Sequence, residues 1–394
     1  MPASEKTNVS SYSTYGERRP VRILCSGYLV RYPLGGMSWH HLQYLIGLSR
    51  LGHEVAFFET YGWPNSCYDP GRSMMTSDPA YGMDYLVRLL EPFGLKDRWC
   101  YLAEDGTAYG MPRARLAEFC ADCDLYLNLS NINWTPELEQ CRRRVLVDTD
   151  PVFTQIGAHG LGGPFENYHA LFTLAGNVHK TGCDMPTAGL QWKPTRQPVV
   201  LDLWPVDAGD PARPFTTVSS WSPIGDCEHR GRVYGMKNRE FEPFFSLPRD
   251  TGEAMEMALS APCEIRERLT NGGWRLVDPL KATADPWTYQ RYLSRSRAEF
   301  SVAKHGYVVT RCGWFSERSA GYMASGRPVL VQDTGFSDWM ETGTGVIAFK
   351  TREDVLAGIE AINSQYERHC RAARALAEEY FDARKVLSDL LARC

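Results

Sequence analysis

The chain has 394 residues, 43% of them hydrophobic and 23% charged, and a formal net charge of −4. That length exceeds a single typical hydrophobic core and implies two domains, in a composition ordinary for soluble globular proteins. The slightly acidic balance supplies no broad basic face, which counts against nucleic acid as a partner, and no uninterrupted apolar run approaches a membrane span.

Residues 1–20 are polar, with Glu5, Lys6 and Glu17-Arg18-Arg19. Lacking an apolar core, they read as a flexible leader rather than a signal peptide. The 12 cysteines are scattered, several of them (Cys25, Cys141, Cys312) inside apolar patterns. They read as reduced thiols of a cytoplasmic protein. Cys120-Ala-Asp-Cys123 has the spacing of half a zinc site, but no second pair stands near it, so no metal is expected.

Residues 21–26 read as a strand, and Gly27 to Gly36 as a glycine-bearing loop. Residues 37–51 read as a helix stopped by Gly52, and 55–58 as a second strand. Such a unit opens a doubly wound sheet, in which ligands bind beyond the carboxyl ends of the strands. The loop is not Gly-x-Gly-x-x-Gly, so the dinucleotide fingerprint is absent. Residues 61–112, rich in Gly, Pro, Tyr and Asp, read as excursions over the site face, with one helix near 83–90. A helix over 116–123 and strands over 124–129, 144–147 and 170–174 follow. The polar groups Ser130-Asn131-Ile-Asn133 and Asp148-Thr149-Asp150 stand at carboxyl ends of these strands.

Prolines 194, 198, 205, 211 and 214 mark a domain crossing, after which the pattern restarts. Strands are expected over 215–220, 274–277 and 299–302, helices over 265–269 and 287–293, and a loop over 223–235. Residues 310–335 read as loop, short helix, tight turn at Gly326, buried strand over 328–331 and second loop. Helices at 352–362, 364–379 and 383–392 finish the chain.

Two doubly wound halves, a proline-rich crossing and terminal helices resemble the GT-B glycosyltransferases. The specific match is Met323-Ala324-Ser325-Gly326-Arg327-Pro328-Val329-Leu330, which fits the Ala-x-Gly-x-Pro-Val pattern of the nucleotide-sugar site. The chain also resembles uncharacterised bacterial nucleotide-sugar-dependent glycosyltransferases over Gly36 to Gln43 and Phe315 to Gly335. The resemblance covers most of residues 21–390 and is strongest at 298–340. It implies an α/β fold of two Rossmann-like doubly wound domains facing each other across a cleft, with C-terminal helices. Residues 21–205 are then the acceptor-binding domain, 206–370 the nucleotide-sugar-binding domain, and 371–394 a terminal helix crossing back to the first.

The implied activity is transfer of a hexosyl or related group from a nucleoside diphosphate sugar, with no cofactor beyond that donor. Aromatic-rich loops at 61–112 point to a small-molecule acceptor. Retaining members carry two glutamates eight positions apart, but the corresponding residues here are Gly313 and Gly321. That departure favours an inverting reaction, and positive side chains with a helix N-terminus in place of a cation make a metal-independent one the expectation. A nucleotide-sugar epimerase, or a non-catalytic protein that binds sugar nucleotides, suits the same fold.

Donor-binding candidates centre on Ser316-Glu317-Arg318-Ser319. A helix start there offers unpaired N–H groups and partial positive charge to a diphosphate. Lys304, after a strand, and Lys237 add cations; a solvated lysine or, for Arg318, a structural ion pair is the plain alternative. Gly35-Gly36 admits close backbone approach or merely makes a tight turn. Ser220 with Trp221, and the loop after Trp274, are walls for the nucleobase. Asp333-Thr334 offers groups to sugar hydroxyls, or an Asx-turn. His40, His41 and Asp150 are the candidate bases. Helical spacing groups His41 with Leu45 and Leu48, leaving His40 the better placed to face the cleft, while Asp150 before Pro151 also suits a turn.

Overall fold

The structure is a computed structural model that describes residues 19–157 and 164–394. Most of the expected leader lies outside the described residues. The first half is an eight-stranded sheet in the order Trp192–Pro194, Ala170–Thr173, Arg143–Asp148, Leu125–Leu129, Arg22–Ser26, Glu54–Thr60, Trp99–Leu102, Ala108–Gly110. Neighbours are parallel except for the last pair. Its central strand Leu125–Leu129 is buried at every position, as expected where helices cover both faces of a parallel sheet. The second half is a six-stranded, wholly parallel sheet in the order Arg275–Val277, Met255–Ser260, Phe215–Ser220, Ala298–Ser301, Val329–Gln332, Val346–Phe349.

Several elements escape a reading by pattern. Met255–Ser260 (Met-Glu-Met-Ala-Leu-Ser) has no β-branched residue and no alternation, yet it is a buried strand. The expected loop over 223–235 contains an antiparallel hairpin, Cys227–His229 with Arg232–Tyr234. The excursion over 61–112 carries another, Cys67–Asp69 with Met74–Thr76, and a sheet strand, Trp99–Leu102.

What matters for function is how the halves are joined. One apolar cluster runs across both, from Leu42 and Leu45 to Trp204, Tyr289, Leu293, Tyr322 and Phe381. At one rim of the cleft, the Gly35–Arg50 helix meets the Pro286–Ser294 helix. A Cβ on Gly35 would lie 2.4 Å from the Asp285 carbonyl oxygen, and Trp39 Nε1 donates to Pro286 O at 2.7 Å. At the other rim, Asn177 N donates to Cys312 O (2.9 Å) and Asn177 Nδ2 to Gly335 O (2.7 Å). The last helix, Ala383–Arg393, lies on the first half, where a Cβ on Gly47 would come within 2.4 Å of Leu387 Cδ1. The carboxyl ends of the two sheets therefore confront each other between two pinned rims. No helix among the described residues is long and apolar enough to cross a membrane.

Candidate active site

The second-half wall starts at the Glu317–Ala324 helix. Ser316 caps it by accepting from Arg318 N at 3.2 Å, and Ser319 is buried in its first turn. Gly326 follows with φ +70°, the left-handed turn that lets the chain double back into Val329–Gln332. The Arg318 side chain is not open to solvent: Nε donates to Glu299 Oε1 (2.6 Å), Nη1 to Val218 O (2.8 Å) and Nη2 to Ser301 Oγ (2.5 Å). Glu299 is fully buried mid-strand. Arg318 is thus fixed to two neighbouring strands of the sheet, Phe215–Ser220 and Ala298–Ser301, and contributes charge from a rigid position.

Two lysines join it. Lys237 donates to Ser219 Oγ at 3.0 Å. Burial, reinforced by the positive charges of Arg318 and Lys304, pulls the Lys237 ammonium down to about 7, with Glu299 and Glu317 opposing. Among the described residues Arg318 pairs with Glu299 and Lys304 with Asp150, while Lys237 bonds a neutral hydroxyl. The hydroxyl that Lys237 uses belongs to Ser219; Ser220, expected with Trp221 as a wall for the nucleobase, is exposed at the carboxyl end of the strand. Successive residues of a strand point to opposite faces, so Ser219 and Ser220 differ in what they meet. Beside Lys237 lies a small pocket lined by Thr217, Ser219, Trp221, Phe241 and Met257. Trp274 is a core residue instead, buried with Nε1 donating to Phe244 O at 3.1 Å.

Asp333 and Thr334 are engaged within their own turn. Asp333 Oδ1 accepts from Gly335 N (2.9 Å), Oδ2 accepts from Ser337 Oγ (2.9 Å), and Thr334 Oγ1 donates to Trp314 O. The Asx-turn reading describes Asp333.

The first-half wall rests on a buried polar lattice. Asn133 Nδ2 donates to Gly27 O (2.7 Å), and its Oδ1 accepts from Thr60 N (3.0 Å) and Arg31 Nη2 (3.2 Å). Arg31 and Glu59 form an ion pair with side chains 1% and 0% exposed. Glu59 also accepts from Val30 N and Arg31 N at 2.7 and 2.8 Å. This lattice holds the Gly27 to Gly36 loop rigid beneath the cleft.

His40 and His41 follow that loop, and the structure separates them. Tyr28 N–H donates to His41 Nε2 (3.2 Å), so the His41 proton sits on Nδ1, which donates to Met37 O (2.8 Å). A Cβ on Gly27 would lie 2.0 Å from the same ring. With both nitrogens used and the ring fully buried, His41 is a structural residue rather than a base. His40 Nε2 has no hydrogen-bond partner among the described residues. It lines a small pocket with Gly36, Gln43, Gln197, Tyr289 and Glu317, which brings both halves together. Burial lowers the His40 pKa, and the Glu317 carboxylate works against that shift. A neutral imidazole with an unengaged nitrogen is the form a general base needs.

Asp150 is bound to the opposite wall. Lys304 Nζ lies 2.8 and 2.7 Å from its two carboxylate oxygens, and the Tyr307 hydroxyl donates to it. Lys304 and Asp150, expected to serve donor and acceptor separately, here pair with each other. Gly35 is explained by interdomain contact with Asp285 and Tyr289, and a Cβ on Gly36 would meet the Tyr289 ring at 3.4 Å. At Gly321 a Cβ would approach Trp204 to 3.0 Å and Leu293 to 3.2 Å, so this packing has no room for the second glutamate of the retaining pattern. The sequence reading passed over Ser219 and Glu299, although an acidic residue inside the strand Ala-Glu-Phe-Ser is itself a signal. It also passed over Glu240, which accepts from Gln332 Nε2 (2.6 Å) and pairs with His305 Nδ1 (2.5 Å).

No family model and no curated protein sequence matches the chain. Solved structures do. An alpha-glucosyltransferase in complex with UDP and a 13-mer DNA containing an HMU base matches with TM-score 0.57 at 10% identity, covering 95% of this chain and 99% of that one. HepE from Anabaena, in complex with UDP and glucose, matches with TM-score 0.57 at 12% identity, covering 95% and 100%. AviGT4, a glycosyltransferase involved in avilamycin A biosynthesis, matches with TM-score 0.53 at 15% identity, covering 95% and 97%. The chain has the GT-B fold. Other GT-B structures similar to this chain hold UDP or UDP-glucose with DNA carrying an A:G mismatch or an abasic site.

Those DNA complexes overturn two expectations, the small-molecule acceptor and the exclusion of nucleic acid. Both rested on quantities with little bearing on an acceptor groove. A net charge of −4 is summed over the whole chain, whereas an acceptor meets only the local charge of one cleft wall. Of the tyrosines over 61–112, Tyr101 and Tyr109 lie in strands of the first sheet, Tyr68 in the separate hairpin, and Tyr81 and Tyr85 in the Ala80–Leu90 helix.

Proposed function

We propose that this protein transfers a glycosyl group from a nucleoside diphosphate sugar to an acceptor bound on the first-half wall. The observation that carries this reading is the crowding of Lys237, Lys304 and Arg318 at the carboxyl ends of Phe215–Ser220 and Ala298–Ser301, beside the capped start of Glu317–Ala324. Cations buried against one another are held at an energetic cost, and a diphosphate relieves it. In the reaction the same charges stabilise the leaving diphosphate from fixed positions. The pocket beside Trp221 and Phe241 suits the nucleobase.

His40 is the base that takes the proton of the acceptor hydroxyl, with Glu317 sharing its pocket and stabilising the imidazolium that forms. Residues 206–370 then carry donor binding and residues 21–205 the acceptor. The 12 cysteines, none in a disulfide, support a reducing, cytoplasmic setting.

The test is incubation with UDP-, GDP- and dTDP-sugars, with DNA carrying an HMU base among the acceptors, read by mass spectrometry. Transfer or donor hydrolysis that disappears in Lys237→Met supports the reading. Absence of binding, hydrolysis and transfer for every donor overturns it.

A further inference from the structure

The Lys304–Asp150 pair lies where the two roles of the cleft meet. Lys304 stands on the second half, three residues past the buried strand Ala298–Ser301 and within electrostatic range of Lys237. Asp150 stands on the first half, two residues past Arg143–Asp148. The pair is partly buried, with side chains 18% and 19% exposed, and the ammonium also lies 4.6 Å from the centre of the Phe153 ring. The first half therefore inserts a carboxylate among the cations of the other wall.

The backbone that presents this carboxylate is tightly held. Asp150 N donates to Asp148 Oδ1 (3.0 Å), Asp150 O accepts from Thr154 N (3.0 Å), and Asp148 is itself buried under Gln155 and Thr173. Val152, fully buried and β-branched, has φ +73°, a conformation such residues rarely adopt. Strain of this kind persists only where the surroundings enforce it, and it concentrates at working sites. With its backbone fixed, Asp150 leaves Lys304 by rotation of its side chain alone.

We propose that Asp150 is a built-in stand-in for the donor's phosphate, holding Lys304 in the empty protein and yielding it to the diphosphate when the donor arrives. The inference rests on the glycosyl-transfer reading. A carboxylate carries one negative charge and a sugar nucleotide diphosphate two, so the diphosphate is the stronger partner for a lysine already among cations. The displaced carboxylate, repelled by the diphosphate, turns toward the first-half wall, where it orients the acceptor. Donor thus binds before acceptor, and the acceptor side is completed only when there is a sugar to transfer. Asp150 acts here as a positioning residue.

This makes an unusual prediction, because removing a charged residue from the cleft strengthens donor binding. Calorimetric titration with UDP, GDP and dTDP identifies the nucleotide that binds wild type, which is then titrated into Asp150→Asn, Lys304→Met and the double variant. Asp150→Asn is expected to bind it several-fold tighter than wild type, and Lys304→Met about tenfold or more weaker, the size of a charge-assisted hydrogen bond. In the Lys304→Met background, where no ion pair has to be broken, Asp150→Asn is expected to give a smaller gain than in wild type. Tyr307→Phe removes one hydrogen bond to Asp150 while leaving the ion pair, and is expected to give a smaller gain of the same sign, which covers misfolding of Asp150→Asn. Binding to Asp150→Asn and Tyr307→Phe that is unchanged or weaker overturns the exchange while leaving glycosyl transfer standing. Failure of wild type to bind any of the three nucleotides overturns the glycosyl-transfer reading, and the exchange with it.

Discussion

The second-half wall sets Lys237, Lys304 and Arg318 against Glu299 and Glu317, whereas the first-half wall is built on neutral groups around Asn128, Asn133 and Thr60 with one closed ion pair, Arg31–Glu59. In the first wall the Arg31–Glu59 pair closes within its own half, so that lattice serves rigidity. In the second the cations outnumber their partners, and one of them borrows Asp150 from across the cleft. An unbalanced buried charge cluster indicates a charged ligand, and a balanced one indicates a scaffold.

The contrast is sharpened most by the two histidines. His40→Ala is expected to lower turnover by about 10²–10⁴-fold, the usual range for a general base, with little change in donor affinity. His41→Ala is expected to act through stability instead, because Tyr28 N and Met37 O lose their partner. Thermal melts beside steady-state kinetics separate the two, and a larger turnover loss with unchanged stability in His41→Ala would reverse the assignment.

Arg318→Ala strands Glu299, which is fully buried. Breaking a buried pair from one side typically costs about 3–5 kcal/mol, so chemical denaturation should show a loss of that order along with weaker donor binding. Unchanged stability would mean that the pair is not buried as described.

Lys237→Met is expected to weaken donor binding about 10- to 100-fold, the worth of one charge-assisted hydrogen bond in a desolvated site. The smallest effect concerns neighbouring serines. Ser219→Ala, which removes the Lys237 partner, is expected to weaken binding by a few-fold, and Ser220→Ala to leave it unchanged. Equal effects would restore Ser220 to the site.

Much of the architecture was legible because periodicity and turn residues carry it. The strand over 215–220 and the three closing helices fall where the pattern places them, and Gly326 ends its helix in the left-handed turn expected of it. Met255–Ser260 was not legible, because burial on both faces erases alternation and its residues are not strand-specific. At the cleft, residue types and strand ends single out Lys237, Lys304, Arg318, His40 and Asp150 as candidates. Their partners are long-range and invisible in the sequence: Glu299 for Arg318, Ser219 for Lys237, Asp150 for Lys304. The partners of Asp333 are local instead: Oδ1 accepts from Gly335 N in an Asx-turn and Oδ2 from Ser337 Oγ.

The central claim is that a diphosphate neutralises the cation cluster around Lys237. In the empty protein Lys237 loses its proton above about 7, and a bound diphosphate restores it, so donor affinity falls as pH rises past that value. A sugar nucleotide has no titrating group of its own there. Calorimetry of UDP-glucose binding at pH 8, or of whichever sugar nucleotide binds, in buffers of different ionisation enthalpy counts the protons taken up. The account predicts uptake approaching one proton per donor bound by wild type and none by Lys237→Met. Tight binding without uptake, or equal uptake by both proteins, would contradict it.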